Sequence, residues 1–327
     1  MTHKFNDVFI NETATVTGPY EAKGPLSKYF DLCHKDLAFN EKTWEQAEIK
    51  SIKESIDILF KKSNINDVDV FIGGDLLNQI VCSNFAMKCY DKPFIGIYAA
   101  CSISTLGLIL GASLIDGGFY NKVVTFTSSH NNAAEKQYRY PVEYGGPKRK
   151  TATFTATGAA CALISKEVSS IKIESGTLGK VIDSGIFDVY NMGAVMAKAA
   201  ASTLNSHLID MGRDIDYYDL VLTGDLGIYG KNIFKEYVSD KYNIILKNYN
   251  DTGVMLYDLK EQPVYAGASG PVCAGLVTYS YIFNLMKKGK YKRVLLLATG
   301  ALMNPSMVNQ KLSIPAICHA VSLEAVE

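Results

Sequence analysis

The chain has no surplus of either charge, with 33 basic and 33 acidic residues and a pI near 6.9. No global field therefore draws it towards nucleic acid or an anionic membrane, and any anion site must be local. The seven cysteines include no CxxC pair, and Cys82 and Cys89 have no histidine close in sequence to complete a zinc cluster. Reduced intracellular thiols are expected, with no metal and no cofactor. Nucleotide and serine-hydrolase chemistry has little support, because the phosphate-binding GxxxxGK[ST], dinucleotide GxGxxG and hydrolase GxSxG patterns are all missing. The first stretch, Met1 to Phe30, lacks the basic-then-apolar order of an export signal. Pro93 to Ile115 is uncharged and long enough to span a bilayer. Gly96, Cys101, Ser102 and Ser104 interrupt it early, so the run reads as a buried strand leading into a buried helix.

What is present is an ordinary globular composition, 48% hydrophobic and 20% charged over 327 residues, enough for a large core in one duplicated unit or two domains. Four segments read as short apolar strands followed by helical stretches: DVDVFIGGD (67–75), KVVTFTSS (122–129), YDLVLTGD (218–225) and KRVLLLATG (292–300). Strands separated by helix-length segments predict an α/β architecture with buried sheets.

The segments also repeat. Asp69–Leu76 matches Asp219–Leu226 as an aspartate, three apolar residues, a small or hydroxyl residue and then GDL. Further on, IDGGFYNKVVTFTSS resembles KKGKYKRVLLLATGA, with Tyr120 corresponding to Tyr291. Two matches in the same order predict a duplication, with the halves at 1–168 and 169–327.

Cys101 lies where a predicted strand gives way to an apolar helix. Free backbone N–H groups and the helix dipole would there favour a thiolate or a bound carboxylate. A small buried hydrophobe is the plainer alternative. The longest polar interruption, 128–150, interleaves His130, Lys136, Arg139, Lys148, Arg149 and Lys150 with Tyr138, Tyr140 and Tyr144. It reads either as a solvated excursion or as an anion-binding flap, since arginine grips carboxylates in a fork and tyrosine stacks on planar ligands. Of five histidines, His130 at a strand end and His319 in a predicted last strand are candidates for a site; His3, His34 and His207 read as structural or surface residues. Asp75 and Asp225 occupy equivalent turns, where an aspartate usually bonds nearby amides; a site role stays open for Asp75.

A duplicated chain with a cysteine opening its first central helix resembles the thiolase superfamily, ketoacyl synthases included, through ACSIS around Cys101 and ATGAACALIS (156–165). The resemblance implies duplicated βαβαβαββ halves in α-β-α-β-α layers. The departures are informative. Condensing enzymes of that superfamily pair the cysteine with a histidine and an asparagine, or with two histidines. Here Thr223 or a neighbour stands where a histidine is expected, and Ala268 stands in place of the asparagine. A degenerate, non-catalytic member is expected.

The narrower resemblance, over nearly the whole chain, is to the stage V sporulation AD family of endospore-forming bacteria. It rests on GGDLLNQ (73–79), SLIDGGF (113–119), TSSHNNAAEKQYRYPVEYGG (127–146), LTGDL (222–226), ATGAL (298–302) and IPAICHAV (314–321). It implies a protein that binds dipicolinic acid, pyridine-2,6-dicarboxylate, and assists its uptake into the developing spore with membrane proteins. Calcium is left open as an accompaniment to the ligand, and a homodimer is left open by analogy. The implied location is cytoplasmic, peripheral to the spore inner membrane.

A planar dianion needs cations or N–H donors at its edges and flat apolar surface against its ring. Cys101 and Ser102 are expected to take one carboxylate and Arg139 or His130 the other, with Asp75 orienting a cation or water and His319 as a further candidate. Two alternatives remain: an acyl-transfer enzyme with Cys101 as nucleophile and His130 or His319 as base, and a purely structural partner for membrane proteins.

Overall fold

A computed structural model describes residues 1–326. Its ten main strands are β1 (Phe9–Thr17), β2 (Val70–Gly74), β3 (Phe94–Gly96), β4 (Lys122–Ser129), β5 (Gly158–Ser165), β6 (Ile171–Thr177), β7 (Leu220–Thr223), β8 (Tyr249–Asp251), β9 (Arg293–Ala301) and β10 (Pro315–Ala325). They hydrogen-bond in the order β8-β7-β9-β10-β6-β1-β5-β4-β2-β3. The order is symmetric about β6 and β1. On each side a parallel trio, β3-β2-β4 or β8-β7-β9, meets an antiparallel pair, β5-β1 or β10-β6. The two five-stranded sheets join where Phe9 and Ile10 pair with Lys172 and Ile171, and the N-terminal residues Thr2–Lys4 extend the join along β6. The 168/169 boundary expected from the repeats falls in the connection between β5 and β6.

Helix α1 (Trp44–Ser63) and α2 (Val81–Met87) belong to the first half, and α5 (Met192–Met211) and α6 (Gly227–Tyr242) to the second. Between the sheets lie α3 (Ile103–Asp116) and α7, a continuous helical stretch over 271–287 with a π-helical turn at Val277–Ile282. Helix α3 contacts β4 and β2 of one sheet and β10, β9 and β6 of the other. Apart from α4 (Asn131–Tyr138), the layers are α1/α2, sheet, α3/α7, sheet, α5/α6, the α/β fold with a large sheet that the resemblance implied.

The sequence explains why each helix takes its layer. Thr43 caps α1 by accepting from the Gln46 amide at 3.2 Å, and Asn64 ends it in the left-handed conformation. The buried positions of α1, including Ile52, Ile56 and Leu59, recur at helical spacing and face one sheet, so the other face can be charged. Helix α3 carries no charge before Asp116 and is buried on several sides, as a helix between two sheets must be. Each Leu or Ile it buries contributes about 1.5–3 kcal/mol. Gly111 makes the close packing possible, because a Cβ there would meet Ile164 at 2.9 Å. Among the described residues no helix is long and apolar enough to cross a membrane.

The polar interruption at 128–150 is more ordered than a loop. Its first part is α4, capped by the His130 ring, whose Nδ1 accepts from the Asn132 amide at 3.2 Å. Asn131 to Glu135 are buried. Only the remainder, with a short turn at Val142–Tyr144, forms the flap.

Candidate functional site

The turn into α3 is unusual at one residue. Ala100 has φ +47°, a left-handed conformation that costs a residue bearing a Cβ on the order of 1–3 kcal/mol. Gly300, at the end of β9, accommodates it: a Cβ there would lie 2.3 Å from the Ala99 carbonyl. The bend presents Cys101 to a chamber of about 60 Å³, bordered by Tyr98, Tyr138, Arg139, Asp225 and Gly270, with Met192, Met196 and Met303 supplying apolar wall.

Asp225, not Thr223, stands against the thiol. Its carboxylate accepts from the Gly270 amide at 3.0 Å and from the Thr299 hydroxyl at 2.8 Å. Burial pushes the Asp225 carboxyl up to about 7. Burial and the neighbouring Asp225 carboxylate push the Cys101 thiol well above its usual range, so the group at the bend is a thiol. Thr223 bonds instead to Asp251 at 2.7 Å and to the Tyr249 hydroxyl at 2.8 Å. Ala268 lies in a short strand paired with Phe154, and its neighbour Ser269 lines the chamber. No histidine is among the described chamber-lining residues.

Arg139 reaches the chamber from the end of α4. Its side chain is only 8% exposed, and Nη2 lies 2.7 Å from Glu135 Oε1. Among the described residues Nε and Nη1 have no hydrogen-bond partner. Glu135, 1% exposed, also lies 3.3 Å from Lys148 Nζ. One buried carboxylate thus faces two cations, leaving a local excess of positive charge.

The other residues expected at the site are engaged elsewhere. Ser102 donates to the Ala99 carbonyl at 2.8 Å, within the bend. His130 caps α4, lies 2.8 Å from the Leu37 carbonyl through Nε2 and stacks on Trp44; burial lowers its pKa. Asp75 accepts from the Leu77 amide, the Ser83 amide and the Ser83 hydroxyl at 2.6–2.9 Å. It sits behind the chamber beside Glu48 and Cys82, their candidate ligand atoms within 4.8 Å of one another. This trio is buried, with Ser128 donating to Glu48 at 2.8 Å and burial raising both carboxyls. His319 lies in β10 opposite Ala298 and accepts from the Gly179 amide at 3.1 Å; burial lowers its pKa to about 4. Of the expected residues, the structure brings Cys101 and Arg139 to one chamber. It adds Asp225, whose sequence context matched an ordinary turn aspartate.

The chain matches the family model described as Stage V sporulation protein AD (SpoVAD) over residues 1–324. It belongs to the SpoVAD family. Stage V sporulation protein AD of Bacillus subtilis (strain 168) is 42% identical over 319 residues, covering 97% of this chain and 94% of the relative. Among solved structures, Xanthomonas campestris OleA bound to cerulenin superposes with a TM-score of 0.63 at 11% identity, covering 98% of this chain and 100% of that one. The 3-oxoacyl-[acyl-carrier-protein] synthase III of Aquifex aeolicus gives 0.54 at 15%, covering 99% and 100%. These two likenesses establish that this SpoVAD family member has a thiolase-like fold. They establish nothing about its chemistry.

Proposed function

We propose that the chain binds dipicolinate without turning it over and, with membrane proteins as partners, assists its passage into the developing spore. The observation that carries the binding is Arg139, a buried guanidinium at the chamber whose Nε and Nη1 find no acceptor among the described residues. A carboxylate is the natural acceptor for such a fork. Tyr98 and Tyr138 offer polar edges beside it, and the methionines offer soft apolar surface. The absence of turnover is supported by the thiol itself. A condensing nucleophile works as a thiolate, whereas burial and the Asp225 carboxylate keep Cys101 as a thiol.

Calorimetric titration with dipicolinate, with and without calcium, tests the proposal on the wild type and on Arg139→Ala. Saturable binding weakened at least tenfold, about 1.4 kcal/mol, is expected in the variant. Unchanged affinity in a folded Arg139→Ala protein would remove the anchor, and no wild-type binding under either condition would remove the function.

The strained bend at Ala100 favours a second reading, acyl transfer through Cys101. It requires an acyl adduct on Cys101 after incubation with acyl-CoA, detectable by mass spectrometry.

A further inference from the structure

The chamber at Cys101 is too small, as it stands, to admit a ring. A cavity of about 150 Å³ takes benzene, and the chamber holds about 60 Å³. A second cavity of about 220 Å³ lies outside it, and Tyr98, Tyr138 and Met303 border both. These three side chains are therefore the partition between the chamber and a vestibule. The hollow beside the flap, about 410 Å³, shares no lining residue with the chamber, and the ion pairs of Glu135 with Arg139 and Lys148 lie between the two.

One hydroxyl organises the partition. Tyr138 Oη donates to the Leu76 carbonyl and lies 3.4 Å from Tyr98 Oη. Beside it, Gln137 Oε1 accepts from the Asn78 amide at 2.9 Å. The end of α4 is thus tied to the 76–80 turn, which borders the chamber at Leu76 and the vestibule at Leu77, Asn78 and Gln79. That turn is strained. Gln79 has φ +59° and Ile80 φ +47°, two consecutive left-handed residues, and the second is β-branched and suits the conformation least. Asp75 clamps the segment on both sides by accepting from Leu77 and Ser83. The turn is held between this clamp and the Tyr138 tie, so releasing the tie lets it relax, and the unbranched Met303 can repack on the opposite wall.

We infer that Tyr98 and Tyr138 are the gate of the chamber: a ligand enters from the vestibule when the Tyr138 hydroxyl leaves the Leu76 carbonyl and the 76–80 turn relaxes. The two tyrosines then set which molecules reach Arg139 and Cys101. Dipicolinate is the ligand on the reading above, but the gate is a property of the walls and is measured without it.

Cys101 is the sensor at the inner end. The full chain is alkylated with iodoacetamide, which is small, and with N-phenylmaleimide, which carries an aromatic ring. The rate at Cys101 is read from its own peptide by mass spectrometry, since Cys89 is exposed and Cys33 partly so. Both reagents react with the thiolate, so the ratio of their rates reports passage and not reactivity. Tyr138→Ala is expected to raise the maleimide-to-iodoacetamide ratio about tenfold, and Tyr138→Phe, which keeps the ring and loses the tie, about threefold. Tyr98→Ala, at a position 46% exposed, opens the same partition without touching the bond to Leu76 and is expected to raise the ratio about fivefold. Tyr144→Ala in the flap is expected to leave it unchanged. An unchanged ratio in folded Tyr138→Ala and Tyr98→Ala would overturn the gate. An equal rise in Tyr144→Ala would also overturn it, by putting the entrance beside the flap. A raised ratio in the gate variants of a protein that binds no dipicolinate would keep the gate and remove the ligand.

Discussion

Asp75 and Asp225 stand at matching turns of the two halves and do different work. All the donors to Asp75 come from its own neighbourhood, Leu77 and Ser83. Those to Asp225 come from distant segments, Gly270 and Thr299, and its third neighbour is Cys101 from the other half. The second half has handed the local task to Asp251, which accepts from the Leu226, Gly227 and Val254 amides and from the Thr223 hydroxyl. The two turns share the sequence GDL but not their continuation, a 3-10 turn at Asn78–Ile80 in one and a helix from Gly227 in the other. Only the copy relieved of capping its own turn became free to face the chamber.

Stability should separate the pair most clearly. Asp75→Ala leaves two buried amides without acceptors, at about 1–3 kcal/mol each, so a loss on the order of 2–5 kcal/mol is expected. Asp251→Ala, which orphans three, should cost at least as much. Asp225→Ala orphans one amide and leaves a hydroxyl that can rotate, so its loss should be about 1–3 kcal/mol. Urea unfolding followed through Trp44 measures all three. A larger loss for Asp225 than for Asp75 would break the division of labour.

Much of the fold could be read from the chain, because a parallel strand buried on both faces is a run of apolar residues and the turn after it needs small residues and an aspartate. GGDL and TGDL satisfy those requirements twice. Cys101 was visible for the same reason, at a strand-to-helix junction, and Arg139 as a cation among tyrosines. Asp225 was not, since its partners lie in segments that meet it only after the second sheet has closed over α3. His130 misled in the opposite direction. A histidine after a strand fits a base as well as a helix cap, and only the Asn132 amide at its Nδ1 tells them apart.

The thiol gives a second separation. Burial and, after it, the Asp225 carboxylate raise the Cys101 pKa, so removing that charge in Asp225→Asn should increase the thiolate fraction, and alkylation by iodoacetamide at pH 8 should quicken by about tenfold, the equivalent of 1.4 kcal/mol. Asp75→Asn should leave the rate unchanged. Equal acceleration in the two variants would mean that the chamber has merely loosened.

The smallest effect expected is a pH dependence. The Asp225 carboxyl is raised to about 7 and the Asp251 carboxyl to about 6, both by burial. Each folded-state value lies above the unfolded one, so between the two the folded chain binds more protons than the unfolded chain, and stability falls as pH rises. The contribution is complete below about pH 3.9, the ordinary aspartate value, and is lost as pH passes the folded-state value. His207 and His319, lowered to about 4 by burial, act in the opposite sense: their contribution is complete above the ordinary value of about 6.5 and is lost as pH falls through 4. Between pH 6.5 and 7.5 the histidines are neutral in the folded chain but still lose protons in the unfolded one, so they oppose Asp225, and the Asp225 contribution is read as the difference between the wild type and a variant that lacks its titration. The urea midpoint of the wild type should decline relative to that of Asp225→Asn across that interval, the variant rising as its unfolded histidines lose their protons. Equal slopes in the two proteins would place the buried proton on another group and separate Asp225 from the titration its contacts imply.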